Sequence, residues 1–133
     1  ILDNHQSVPF WIKVNNLELF TNTKNNLIRA VIPPSNCEKL MKFLGSKFKY
    51  FIDWSGSLFW IEVLDNEDDK IGQIREFISS NEGYMTIIKK SENFDFKEKI
   101  FSTDKAKLMI SKKIKESFDP KSLFNPGKMY REI

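Results

Sequence analysis

Phe48-Lys49-Tyr50-Phe51-Ile52-Asp53-Trp54-Ser55-Gly56-Ser57-Leu58-Phe59-Trp60-Ile61-Glu62-Val63-Leu64 is the stretch on which the fold turns. Two runs rich in aromatic and β-branched residues, Phe48 to Trp54 and Leu58 to Leu64, are separated only by Ser55-Gly56-Ser57. That link is short enough for a hairpin, so the two runs are expected to be antiparallel neighbours.

Upstream of the hairpin, Asn26-Leu27-Ile28-Arg29-Ala30-Val31-Ile32 reads as a strand closed by Pro33-Pro34. Ser35-Asn36-Cys37-Glu38 then has the form of a capping box, opening a helix with Cys37, Leu40, Met41 and Leu44 on one face and Gly45 as its stop. Downstream, the acidic run Asp65-Asn66-Glu67-Asp68-Asp69 suits the positive end of a helix dipole. Ile71, Ile74 and Ile78 give that helix a buried stripe, Asn81-Glu82-Gly83 ends it, and Tyr84 to Ile88 is the last strand. The order is β-α-β-β-α-β, the split arrangement of ferredoxin-like α+β domains. It predicts a four-stranded antiparallel sheet with two helices on one face, each helix needing only one apolar stripe.

An extra helix is expected at each end. Ser7 and Pro9 suggest a start for the first, with Phe10, Val14 and Leu17 on one face and an end either in Asn15-Asn16 or near Thr21-Asn22-Thr23. Lys89 to Lys99 is a charged link, with Phe94 and Phe96 as its anchors. In the last helix Ala106, Ile110, Ile114 and Phe118 fall four apart and form one stripe. Asp119-Pro120 stops it, and Asn125-Pro126-Gly127 makes a second turn. Leu123 and Phe124, between these turns, are the expected apolar anchors of the tail, with Lys121 and Lys128 left in water.

At 133 residues the chain reads as one domain, spanning 1–133. No apolar run approaches the ~20 residues of a membrane helix, and the start lacks the pattern of a signal peptide, so a cytoplasmic location is expected. Cys37 and His5 are the only residues of their types, which excludes an internal disulfide and any metal site rich in thiolate or imidazole. The net charge of +3 comes from lysines interleaved with acids. Such lysines read as solvated faces and not as a nucleic-acid footprint. The five glycines are scattered, and without a glycine-rich loop backbone amides do not cradle a pyrophosphate.

The ending is more specific. A helix closing in Phe118-Asp119-Pro120, then Leu123-Phe124-Asn125-Pro126-Gly127-Lys128-Met129-Tyr130, resembles the C-terminal signature of FAD-linked oxidases of the vanillyl-alcohol-oxidase type. Within that family it is most similar to the FAD-binding E subunits of glycolate oxidases. The likeness extends upstream through Phe10-Trp11, Val31-Ile32-Pro33-Pro34, Asp53-Trp54-Ser55-Gly56, Phe59-Trp60-Ile61 and Glu82-Gly83-Tyr84. Ser55 stands where the family has a glycine, Phe59 where it has an arginine and Tyr84 where it has a histidine.

This resemblance implies a C-terminal substrate or cap domain of an FAD-dependent 2-hydroxy-acid oxidoreductase that converts glycolate to glyoxylate. FAD would be held mainly by a separate FAD-binding domain or subunit, and other glycolate oxidase subunits would be partners. It also implies flavin contacts from Asn125, Pro126, Gly127 and Lys128, although Asn125 equally suits a role as turn former. Asp53, Trp54, Trp60 and Tyr84 would face the flavin or substrate cleft, the alternatives being a turn-forming Asp and a buried Trp. The isolated chain is expected to bind no flavin and to self-associate through surface the partner normally covers. Two other readings stay open: a non-catalytic remnant, and an interaction module whose Phe48, Tyr50, Phe51, Phe59 and Trp60 stack on RNA bases.

Overall fold

The computed structural model describes residues 3–94, 100–127 and 130. Helix α1, Asn4–Asn15, begins earlier than Ser7 and Pro9 suggest. Asp3 caps it: its carboxylate accepts from the Gln6 amide at 2.8 Å, and its own amide donates to the Gln6 side chain at 3.4 Å. This reciprocal box satisfies two orphan donors, so the helix starts there and Pro9 falls inside it. The helix ends at Asn15, the earlier of the two expected ends, and a 3-10 turn, Glu18–Phe20, then buries Phe20.

Strand β1, Asn26–Val31, leads to the two prolines and a 3-10 turn, Pro34–Asn36, before α2, Cys37–Leu44. The expected Ser35–Glu38 capping box is not formed. Ser35 lies inside the 3-10 turn, Asn36 sits at the cap position with its side-chain amide donating to the Asn81 carbonyl at 3.1 Å, and Glu38 pairs instead with Lys42 at 2.6 Å. Gly45 ends α2 at φ 55°, a conformation that costs glycine little.

The hairpin forms as read, with β2, Lys49–Asp53, and β3, Leu58–Val63, antiparallel in register Phe51↔Trp60. Helix α3, Asp68–Ser80, and strand β4, Tyr84–Lys89, complete the order. The sheet runs β2-β3-β1-β4 with every neighbour antiparallel, which is the ferredoxin-like α+β arrangement. Strand alternation divides it into two faces. Ile28, Ala30, Phe59, Ile61, Val63, Met85 and Ile87 point to one side and form the core with Leu40 and Leu44 of α2 and Ile71, Ile74 and Ile78 of α3. Phe43 and Phe77, stacked with ring centres 4.2 Å apart, join the two helices. The opposite side carries Arg29, Phe51, Trp60 and Thr86 in one cross-strand row.

After β4 the chain returns along the sheet edge: Ser102 donates to the Met85 carbonyl and Ile87 to the Ile100 carbonyl, both at 2.9 Å. Phe94 is buried and anchors the charged link, while Phe96 lies outside the described residues. Helix α4, Lys105–Phe118, is capped by Asp104 and has no buried side chain. No described helix is long and apolar enough to cross a membrane.

The expectation for the tail anchors is overturned. Leu123 and Phe124 are each 70% exposed. Asp119, only 7% exposed, holds the tail instead by accepting from the Leu123 and Phe124 amides, each at 2.9 Å, and from the Lys115 ammonium. Tyr130 comes back against Phe101, ring centres 5.8 Å apart.

Candidate functional site

Two surfaces hold the residues singled out by sequence. The first is the open face of the sheet. Trp60 lies at its middle on β3, between Phe51 of β2 and Arg29 of β1. Asp53 and Tyr84 close the two ends of the next row, with Leu58 and Val31 between them. Asp53 is a turn former, its carboxylate accepting from the Trp54 amide at 2.7 Å. Trp54 is not buried: it is 56% exposed, and its ring stands 5.2 Å from the Arg29 guanidinium carbon. Trp54 and Ser55 both have left-handed backbone, φ 51° and 52°, ahead of Gly56 at φ 91°. Gly56 is packed so tightly that a methyl there would meet the Cys37 sulfur at 2.9 Å.

Residues 18–25 cover the far end of this face. Burial alone would raise the Glu62 carboxyl, but hydrogen bonds from Thr23 and Asn25 and the charge and bond of Lys49 outweigh that and hold it below the usual range. Lys49 in turn donates to the Leu19 carbonyl at 2.7 Å. Tyr84, half exposed at the β4 edge, also borders a polar cleft of about 770 Å³ lined by Arg75, Ser102, Asp104 and Lys107.

The five aromatics considered as a stacking platform do not share a surface. Phe59 is fully buried in the core and Phe48 and Tyr50 pack against it, leaving Phe51 and Trp60 on the open side. Phe59, where the resembled family has arginine, therefore faces the helices. Arg29 was overlooked in the sequence. The available signal was a lone charge in Leu27-Ile28-Arg29-Ala30-Val31-Ile32, at an alternate position that period 2 assigns to the non-core face.

The second surface is the tail turn. Ser122 and Asn125 adopt φ 48° and 47° and Gly127 φ 68°, so Asn125-Pro126-Gly127 is a folded turn with all its residues exposed. Lys128 lies outside the described residues. Lys115 first, through its hydrogen bond, and then the Phe124 and Leu123 amides lower the Asp119 carboxyl to about 2. The Lys115 ammonium also donates to the Phe124 carbonyl at 2.5 Å. No hydrogen bond, ion pair or ring contact among the described residues links 119–127 to Asp53, Trp54, Trp60 or Tyr84.

The described residues do not fit a complete FAD. Carboxylates of Asp3 and Asp104 occupy the amino-terminal amides of α1 and α4, and an acidic run leads into α3, so these helix starts repel phosphate. Gly45, Gly56 and Gly83 each serve a helix end, a hairpin or a close packing contact, not a phosphate loop. The described residues also include no cluster of His, Cys, Asp or Glu able to hold a metal ion. Searches against protein-family profiles, curated proteins and solved structures find nothing that matches this chain.

Proposed function

We propose that this chain is the C-terminal cap part of an FAD-dependent 2-hydroxy-acid oxidoreductase, acting on glycolate and completed by a cytoplasmic FAD-binding domain or subunit. The observation that carries the reading is the tail. A buried carboxylate fixes its backbone while Leu123, Phe124 and the Asn125-Pro126-Gly127 turn are turned outward, an arrangement that serves a surface beyond this chain better than its own core. The exposed Ile110, Ile114 and Phe118 of α4 continue that apolar surface. Asn125, with a donor and an acceptor on a fixed turn, is the residue assigned to the flavin edge, and the open sheet face to the substrate. FAD belongs to the partner, because the described residues offer no seat for its phosphates. Nucleic acid is not a partner in this reading, since among the described residues the strands of the open face carry one unengaged cation, whereas a phosphate backbone draws on several.

The test is reconstitution. Mixed or co-expressed with its FAD-binding domain, the chain should form a complex that reduces a dye when glycolate is added, and Asn125→Ala should weaken that activity. A stable complex with bound flavin and no activity on 2-hydroxy acids would mark a non-catalytic remnant. Failure to associate with any FAD-binding domain would remove the proposal altogether.

A further inference from the structure

Arg29 stands near the middle of the open face with Trp60 beside it on β3 and Thr86 beside it on β4. Among the described residues no carboxylate lies within ion-pair distance of it, and its one close partner is the Trp54 ring at 5.2 Å. A guanidinium held over an indole by a cation–π contact finds no N–H acceptor in it, so its N–H donors remain available. The other charged groups on the strands of this face are already engaged. Glu62 is held by Thr23, Asn25 and Lys49, Lys49 by Glu62 and the Leu19 carbonyl, and Asp53 by the Trp54 amide.

We infer that Arg29 is the carboxylate receptor of this chain: its guanidinium edge takes the carboxylate of a small 2-hydroxy acid, with Trp54 and Trp60 as apolar walls. The identification of the acid as a 2-hydroxy acid rests on the function proposed above. The strands of this face carry one unengaged cation, which matches one carboxylate, whereas a polyanion draws on several. The arginine fork matches the two carboxylate oxygens in one plane. The Thr86 hydroxyl, directly across from Arg29 in register, is placed to meet the 2-hydroxyl. The left-handed turn at Trp54 and Ser55 is a strained backbone, which fits a residue held for a purpose over Arg29.

The experiment is a titration of the full chain, without flavin, followed by tryptophan fluorescence. Glycolate should give a saturable change and ethylene glycol none. Arg29→Gln should weaken glycolate binding about tenfold or more, and Arg29→Lys should restore part of it. Thermal midpoints of both variants establish that they fold; should Arg29→Gln unfold, Trp54→Ala supplies the same comparison. An equal response to ethylene glycol, unchanged binding by folded Arg29→Gln, or tighter binding of a short single-stranded RNA than of glycolate would each overturn the assignment. The two proposals separate cleanly. An inactive reconstituted complex with Arg29-dependent glycolate binding refutes the activity alone. An active complex whose KM is indifferent to Arg29→Gln refutes the receptor alone.

Discussion

Gly83 shows how much one missing methyl can decide. A Cβ there would lie 2.6 Å from the Val31 carbonyl oxygen and 2.7 Å from an Ile78 methyl, so α3 hands over to β4 only because the residue between them has no side chain. Gly83→Ala should cost about 1–3 kcal/mol, read as a lower denaturant midpoint with unchanged slope. Its role as a stop was legible from the sequence, since Asn-Glu-Gly closes a periodic run. Asp119 was legible only as the residue before a proline. Nothing in the pattern announces that its carboxylate gathers a lysine and two amides, because those partners meet only after the chain has turned. Its carboxyl lies at about 2 when folded, against an ordinary 3.8. A lowered value means that its hold on the tail is complete above about 3.8 and is lost as pH falls through about 2. The amide signals of Leu123 and Phe124 should therefore titrate with a midpoint near 2. A midpoint at the ordinary aspartate value would show that the clamp is absent in solution. Asp119→Asn should loosen both amides at neutral pH.

Helix α4 has the period of a core helix and the exposure of a surface one. Periodicity fixes which residues share a stripe, and Ile110, Ile114 and Phe118 do share one, but it says nothing about what the stripe meets. Phe118 is 85% exposed. Replacing Ile110, Ile114 and Phe118 with serine should change the folding stability by within about 0.5 kcal/mol each and should reduce self-association in sedimentation. Leu123→Ala belongs to the same class and should cost no more than that. A loss of 2 kcal/mol or more would show that the stripe is packed in solution. The helix starts were the least legible parts. Ser7 and Ser35 both have the residue type of a cap, and both lost to geometry: Asp3 and Gln6 formed a box first, and the two prolines wound Ser35 into a 3-10 turn. Helix existence follows from period, whereas the choice of cap depends on which nearby side chain reaches an orphan amide.

The hairpin and the layer arrangement were readable because two short rules suffice: a three-residue link pairs β2 with β3, and helices of one stripe require one covered face. Ile74, fully buried beneath that face, should cost about 2–5 kcal/mol when cut to alanine. The open face was half readable, its aromatics visible in the sequence but its arginine hidden in a strand of aliphatics. Purified alone, the chain should be colourless and should not oxidise glycolate, checked by an absorbance scan and acid release of any cofactor. Stoichiometric FAD would contradict the reading of the helix starts as closed to phosphate. The segment lying along β4 has one more effect. With Ile100 and Ser102 bonded to that strand, the middle of one rim of the sheet is covered, whereas no other described segment pairs along the outer edge of β2. Two copies meeting strand to strand across a two-fold axis would join at β2 and leave the partly covered β4 rims on both flanks. Edge-to-edge growth beyond the pair is thereby disfavoured, whatever aggregation the apolar helix promotes.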